Sequence, residues 1–219
     1  MSDSGFLHKY ALAGGPKRMS KWMHYFDIYE RHFSRFRGKR PVILEIGVHG
    51  GGSVEMWKAY FGEGAQIVGL DINPDCAQHS AEGIDVFIGS QDDPAVINDI
   101  LAKHPKIDIV LDDGSHHMRH VMATFKLLFD RISKSGVYMV EDMHTAYWDE
   151  YGGGLKREGS FMEFVKGCLD ELNATHSRKA VPITGITTST DSITCYDSVV
   201  VFEKRPQSQK QTIIMTPLA

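Results

Sequence analysis

"PVILEIGVHGGGS", residues 41–53, begins as an apolar run and then breaks into four glycines within six positions. Val42, Ile43, Leu44 and Ile46 read as a strand buried on both faces. The glycines that follow suit a tight turn into a helix, where backbone must come close to a neighbour or a ligand. Four similar apolar runs follow: "QIVGLDI" (66–72), "DVFIGS" (85–90), "IDIVLDDG" (107–114) and "GVYMVEDM" (136–143). Helical patterns separate most of them, around 53–61, in "DPAVINDILAKH" (93–104) and in "HMRHVMATFKLLFDRI" (117–132), with a further helix in "SFMEFVKGCLDELNAT" (160–175). Such alternation predicts an α/β fold, a Rossmann-like doubly wound sheet that is mostly parallel. The stretch "ITGITTSTDSITCYDSVVVFEK" (183–204) gathers β-formers around Asp-Ser turns with no helix between them, which predicts an antiparallel C-terminal strand pair closing the sheet.

Ahead of the first strand, Trp22, Tyr25, Phe26, Tyr29, Phe33 and Phe36 recur at three- and four-residue steps and mark one face of a helix. Core packing is the first expectation for these rings; a cover over a ligand or a subunit interface is the second. The basic residues of "RHFSRFRGKR" (31–40) complement the dipole at that helix's C-terminal end.

Composition excludes several classes. Lys plus Arg number 24 against 28 Asp plus Glu, a net charge of -4, so no global field draws the chain to nucleic acid. Cys76, Cys168 and Cys195 are isolated, as in a reducing compartment. No apolar run is long enough to span a bilayer and the N-terminus lacks a signal-peptide core, so a soluble, cytoplasmic protein with no membrane partner is expected.

In an open α/β sheet ligands bind beyond the carboxyl ends of the strands, so chemistry is sought there. The first strand supplies Glu45, Gly47, Gly51 and Ser53. Asp71 ends the second, where a carboxylate can accept both hydroxyls of a ribose, and Ser90 with Gln91 end the third, suited to the edge of an adenine. The glycine spacing is not GxGxxG, which argues against a nicotinamide-dependent oxidoreductase; a non-catalytic binding module would leave the acids and histidines below unexplained.

Asp113 closes the fourth strand, and Glu141 and Asp142 the fifth. Neighbouring strands lie roughly 5 Å apart, so three oxygen-bearing side chains can meet on one hard divalent cation, Mg²⁺ above others. The competing reading is that Asp113 and Asp142 cap helices and Glu141 pairs with a lysine. His116, three residues after Asp113, suits a general base, since a histidine titrates near neutral pH; His117, His120 and His144 compete for that role. Tyr147 and Trp148 suit an acceptor wall on a loop with the glycines of "EYGGGLKREG" (150–159).

The ordered set from Glu45 to Gln91 resembles the cofactor motifs of class I methyltransferases that use S-adenosylmethionine, in particular the small metal-dependent O-methyltransferases. Through "MHYFDIYERHF" (23–33), "LEIGVHGGGS" (44–53), "LDDGSHH" (111–117) and "VEDMHTAYW" (140–148), the chain is similar to the metal-dependent sugar O-methyltransferases of macrolide and related antibiotic biosynthesis, of the mycinamicin 2''-O-methyltransferase type. The resemblance implies a methyltransferase domain over 20–205 between tails at 1–19 and 206–219. It implies Asp113, Glu141 and Asp142 as metal ligands, with Asp113 also beside the cofactor, and His116 as catalytic base. It implies methyl transfer to a sugar hydroxyl of a glycosylated natural product or nucleotide sugar by a homo-oligomer. A catechol or phenolic acceptor is the alternative.

Overall fold

Five strands run parallel: β1 (Val42–Ile46), β2 (Gln66–Asp71), β3 (Ile84–Ile88), β4 (Ile109–Asp112) and β5 (Val137–Val140). In the computed structural model, which describes residues 5–208 and 211–215, β7 (Val199–Lys204) adds antiparallel to β5 and β6 (Thr190–Tyr196) antiparallel to β7. The resulting seven-stranded sheet has the order β3-β2-β1-β4-β5-β7-β6, the doubly wound, mostly parallel sheet with an antiparallel C-terminal pair.

The strands read as unbroken apolar runs because both faces are covered. Leu44, Ile46, Val68, Val110, Tyr138 and Phe202 face one core, under α4 (Pro94–Lys103), α5 (Met118–Leu128) and α6 (Phe161–Leu172). Their neighbours Ile43, Ile67, Ile109, Leu111, Met139 and Val201 face the other, under α1 (Phe6–Ala13), α2 (Tyr25–Phe33) and α3 (Gly52–Phe61). Start signals are local: Asp93 accepts from Ala95 N with Pro94 following, and Ser160 accepts from Glu163 N.

Two elements lie outside the sequence expectations. Residues 6–13, ahead of the boundary drawn at residue 20, form α1, which buries Leu7 and packs on α2 and α3; Glu30 of α2 accepts from Leu7 N at 2.9 Å. Residues 185–189 form a short helix, α7 (Gly185–Ser189), inside the stretch expected to be strands and turns alone. Thr187 Oγ1 accepts from Thr184 N and donates to Glu171 O on α6, so tertiary bonds override the β preference of a Thr-rich segment. Residues 1–4, 209–210 and 216–219 of the expected tails lie outside the described residues. Among the described residues no helix is long and apolar enough to cross a membrane.

Candidate active site

Strand order reverses beside β1, where β2 and β3 build outward on one side and β4 and β5 on the other, so the loops after β1 and β4 part and open a cleft. A cavity of about 480 Å³ lies there, of the size that holds small molecules.

One wall is the glycine turn. Gly47 has φ +93°, and a Cβ there would lie 2.0 Å from Asp113 O; Gly51 has φ +75°, and its Cβ would lie 2.6 Å from the His79 ring. Backbone excludes any side chain at Gly47, and at Gly51 a side chain would be strained by the positive φ and would have to displace the His79 ring. Asp71, at the end of β2, fastens the turn: Oδ2 accepts from Val48 N and His49 N, and Oδ1 from Asn73 N, each at 2.9 Å. Burial would raise the Asp71 carboxyl, but these three N–H donors hold it below the usual range. A carboxylate offers about four lone-pair sites, so acceptor capacity remains toward the cleft. Ser90 donates to Asp92 at 2.5 Å. Gln91 is committed inward: Nε2 donates to the Asp112 carboxylate and to Thr124, while Oε1 accepts from Ser115 N at 2.8 Å and so fastens the loop after Asp113. Asp112, fully buried, has its carboxyl pushed up to about 7 by burial.

The other wall carries the acids. Asp112 of β4 pairs with Val140 of β5, so the next residue of each strand, Asp113 and Glu141, stand side by side at the sheet's carboxyl edge. Lys21 Nζ donates to Asp113 Oδ2 at 2.6 Å and Glu141 Oε2 at 2.8 Å, and lies 3.5 Å from Glu45 Oε1. Its side chain is only 3% exposed. Burial works against the Lys21 charge, but Asp113 and Glu141 hold its pKa well above the ordinary lysine value. Burial pushes the Glu141 carboxyl up, with Lys21 opposing. Glu45, wholly buried, accepts from Ser53 Oγ at 2.8 Å through Oε2, while Oε1 has no hydrogen-bond partner.

Asp142 turns the other way, toward the cleft. Ligand atoms of Asp113, His116 and Asp142 all lie within 4.8 Å of one another, with His116 Nε2 3.9 Å from Asp113 Oδ1 and 3.6 Å from Asp142 Oδ2. His116 and Asp142 both sit in the left-handed region, at φ +58° and +53°, a conformation that costs a non-glycine residue free energy and recurs at functional sites. Tyr25 Oη donates to Asp142 Oδ1 at 2.7 Å and Tyr29 Oη to Glu141 Oε1. Carboxylates and an imidazole without thiolate suit a hard divalent ion, and the buried Glu45 Oε1, with no hydrogen bond and the Lys21 ammonium 3.5 Å away, adds a further acid beneath the site.

Of the residues expected at the site, Gly47, Ser53, Asp71, Ser90, Gln91, Asp113, His116 and Asp142 line the cleft, whereas Glu45, Gly51 and Glu141 lie behind its surface. Asp142 makes no capping bond, and α5 begins after His117 with no side-chain cap; Glu141 does pair with a lysine. His120 lines the cleft but its ring is taken up by Ser115 and lies 3.7 Å from Asp92, and His144 bonds Ser198. No sequence pattern marks Lys21 or the hydroxyl roles of Tyr25 and Tyr29, although both rings stand in the aromatic stripe.

Sequence and fold together identify the chain as a member of the class I methyltransferases. No family model matches it. Within the class it is similar to sugar O-methyltransferases of antibiotic biosynthesis. The 8-demethyl-8-alpha-L-rhamnosyl tetracenomycin-C 2'-O-methyltransferase of Streptomyces olivaceus is 35% identical over 200 residues, 86% of this chain and 52% of that protein. Demethylmacrocin O-methyltransferase of Streptomyces fradiae is 38% identical over 165 residues, 69% of this chain and 41% of that protein. The crystal structure of MycE methyltransferase from the mycinamycin biosynthetic pathway, in complex with Mg, SAH and mycinamycin VI, superposes with a TM-score of 0.81 at 30% identity, covering 94% of this chain and 55% of that one. The chain spans about half the length of the curated relatives it matches.

Proposed function

We propose that this chain transfers a methyl group from S-adenosylmethionine to a sugar hydroxyl of a glycosylated natural product, with a divalent cation, Mg²⁺ foremost, at the acidic wall. The observation that carries the reading is the convergence of Asp113, His116 and Asp142 within 4.8 Å on the cleft that the glycine turn after β1 also lines. When bound, the cofactor supplies an activated methyl and the ion makes the acceptor hydroxyl more acidic.

The chain's own residues do the rest. Gly47 and Gly51 keep the turn bare, Asp71 accepts from the ribose hydroxyls, and Ser90 and Gln91 border the adenine. Asp113 and Asp142, with Glu141 behind them, supply the carboxylates for the ion. His116 accepts the acceptor's proton: Nε2 lies within 3.9 Å of both cleft-facing acids, so a hydroxyl held between them is within its reach. These groups act by holding reactants in line at a fixed distance.

An aromatic surface adjoins the acids. Trp22 stacks on His144 with centroids 4.9 Å apart and planes 13° apart, and Trp148 meets His144 edge-on at 4.8 Å. Trp22, Tyr147 and Trp148 keep 47, 51 and 45% of their surface exposed. Large exposed rings rimmed by polar groups mark a recognition surface, and flat ring faces suit the C–H faces of a sugar. The sugar substrates in the relatives' names support a glycoside over a catechol.

Turnover of labelled S-adenosylmethionine on glycosylated macrolides and aromatic polyketides, against catechols, with and without EDTA, tests the reading. Glycoside methylation abolished by EDTA is expected. Turnover of catechols alone overturns the acceptor class, and full activity in EDTA overturns the metal.

A further inference from the structure

We propose that Lys21 is an exchangeable internal cation: it neutralises Asp113 and Glu141 while the site holds no metal, and it withdraws when a divalent ion takes its place. The inference rests on the metal reading above and adds what that reading leaves unexplained, namely why Glu141 faces away from the cluster of Asp113, His116 and Asp142.

Three acids, Asp113, Glu141 and Glu45, surround one ammonium at 2.6, 2.8 and 3.5 Å. A buried carboxylate without a partner is strongly unfavourable, so the acids need a cation whether or not metal is present. Lys21 Nζ already occupies a point within hydrogen-bonding distance of one oxygen each of Asp113 and Glu141. A divalent ion bound through Asp113 would lie within a few ångströms of that ammonium, and two cations so close in a poorly solvated pocket repel strongly. The two are therefore alternatives on these oxygens. Departure of Lys21 frees Glu141 Oε2 to face the ion, so the metal-loaded site gains the carboxylate that the present arrangement turns away.

The segment carrying Lys21 walls the cleft. Arg18, Met19, Ser20 and Lys21 line the cleft as a strap ahead of α2, held to the glycine turn by a bond from Gly52 N to Arg18 O at 3.0 Å. Lysine's flexible stem lets the ammonium leave without unwinding α2, which starts four residues later. Exchange thus couples metal loading to the strap that walls the cofactor cleft.

The test uses magnesium alone as the probe, on the full chain. Calorimetry should find that Lys21→Met binds Mg²⁺ about ten-fold or more tighter than wild type, because the competing closed state is removed. Lys21→Arg, which restores a cation, should return affinity toward wild type. Without metal, Lys21→Met should melt below wild type, and saturating Mg²⁺ should raise its melting temperature by more than it raises that of wild type. In wild type, a readout that does not depend on the variant folding, Mg²⁺ should speed tryptic cleavage after Lys21 about ten-fold, since cleavage follows the open population. Equal or weaker magnesium affinity in Lys21→Met, or a strap cut no faster with magnesium, overturns the exchange. Absence of magnesium binding by both proteins overturns the metal reading and the exchange with it.

Discussion

Tyr25 and Tyr29 stand one turn apart on α2 and grip consecutive acids, Tyr25 Oη donating to Asp142 Oδ1 and Tyr29 Oη to Glu141 Oε1. Side chains four residues apart share a helix face, so a single helix orients two acids that leave β5 in opposite directions. Burial raises both phenols, which keeps them protonated donors at neutral pH. Tyr25→Phe keeps the ring and removes one donor to Asp142. The loss of an outer partner to a proposed metal ligand is expected to weaken magnesium binding about ten-fold, with a stability change of about 1 kcal/mol. Calorimetry and urea unfolding measure the two separately; unchanged affinity would separate Asp142 from metal binding.

Asp113 holds the Lys21 ammonium and is a proposed ligand of the divalent ion, and Asp113→Asn tests both roles. The substitution keeps shape and removes the charge that faces Lys21, leaving a buried ammonium with one partner fewer. A loss of about 1–3 kcal/mol in urea unfolding is expected, together with weakened magnesium binding and turnover partly recovered at high magnesium. Wild-type magnesium affinity in this variant would remove Asp113 from the ligand set.

His116 separates chemistry from backbone strain. His116→Ala is expected to cut turnover roughly 10²- to 10⁴-fold while leaving S-adenosylhomocysteine affinity intact, because only the proposed proton acceptor is gone. At φ +58° the alanine still carries the left-handed strain, which His116→Gly relieves. The glycine variant should therefore be about 1 kcal/mol more stable than the alanine variant yet equally inactive. Near-normal turnover by either would remove His116 from the base role.

Doubly buried strands announce themselves as apolar runs, and open α/β sheets gather ligands at strand ends, so the sheet and the positions of Asp71, Asp113 and Asp142 are legible in the chain. Lys21 is not, because its partners lie 92 and 120 residues away and no periodicity links them. Nor is the split between Glu141 and Asp142: which of two adjacent acids turns inward depends on what α2 offers each of them. The helix over 6–13 escapes notice because its capping acceptor, Glu30, belongs to another element. Gln91 reads as a ligand group from its place after β3, yet both ends of its amide are taken by Asp112, Thr124 and Ser115.

The anchoring of α2 on the sheet is expected to depend on pH through Glu203 of β7. Its Oε1 lies 2.7 Å from His32 Nδ1, and its Oε2 accepts from Arg35, the pair that closes the C-terminal end of α2 and the turn after it. Burial would raise the Glu203 carboxyl, but bonds to His32 and Arg35 hold it below the usual range. A carboxyl lowered in the folded state adds stability above its unfolded pKa of about 4.3, and that contribution disappears as pH falls through the folded value. Glu203→Gln keeps the shape and loses the charge. At about pH 7 it should cost about 1–2 kcal/mol in urea unfolding, and the gap from wild type should narrow below about pH 4 as wild type protonates. Glu203 does not line the cleft, so S-adenosylhomocysteine affinity at neutral pH should be unchanged. A gap that stays constant from about pH 7 to about pH 3 would show that the bonds, and not the charge, fasten α2 to β7.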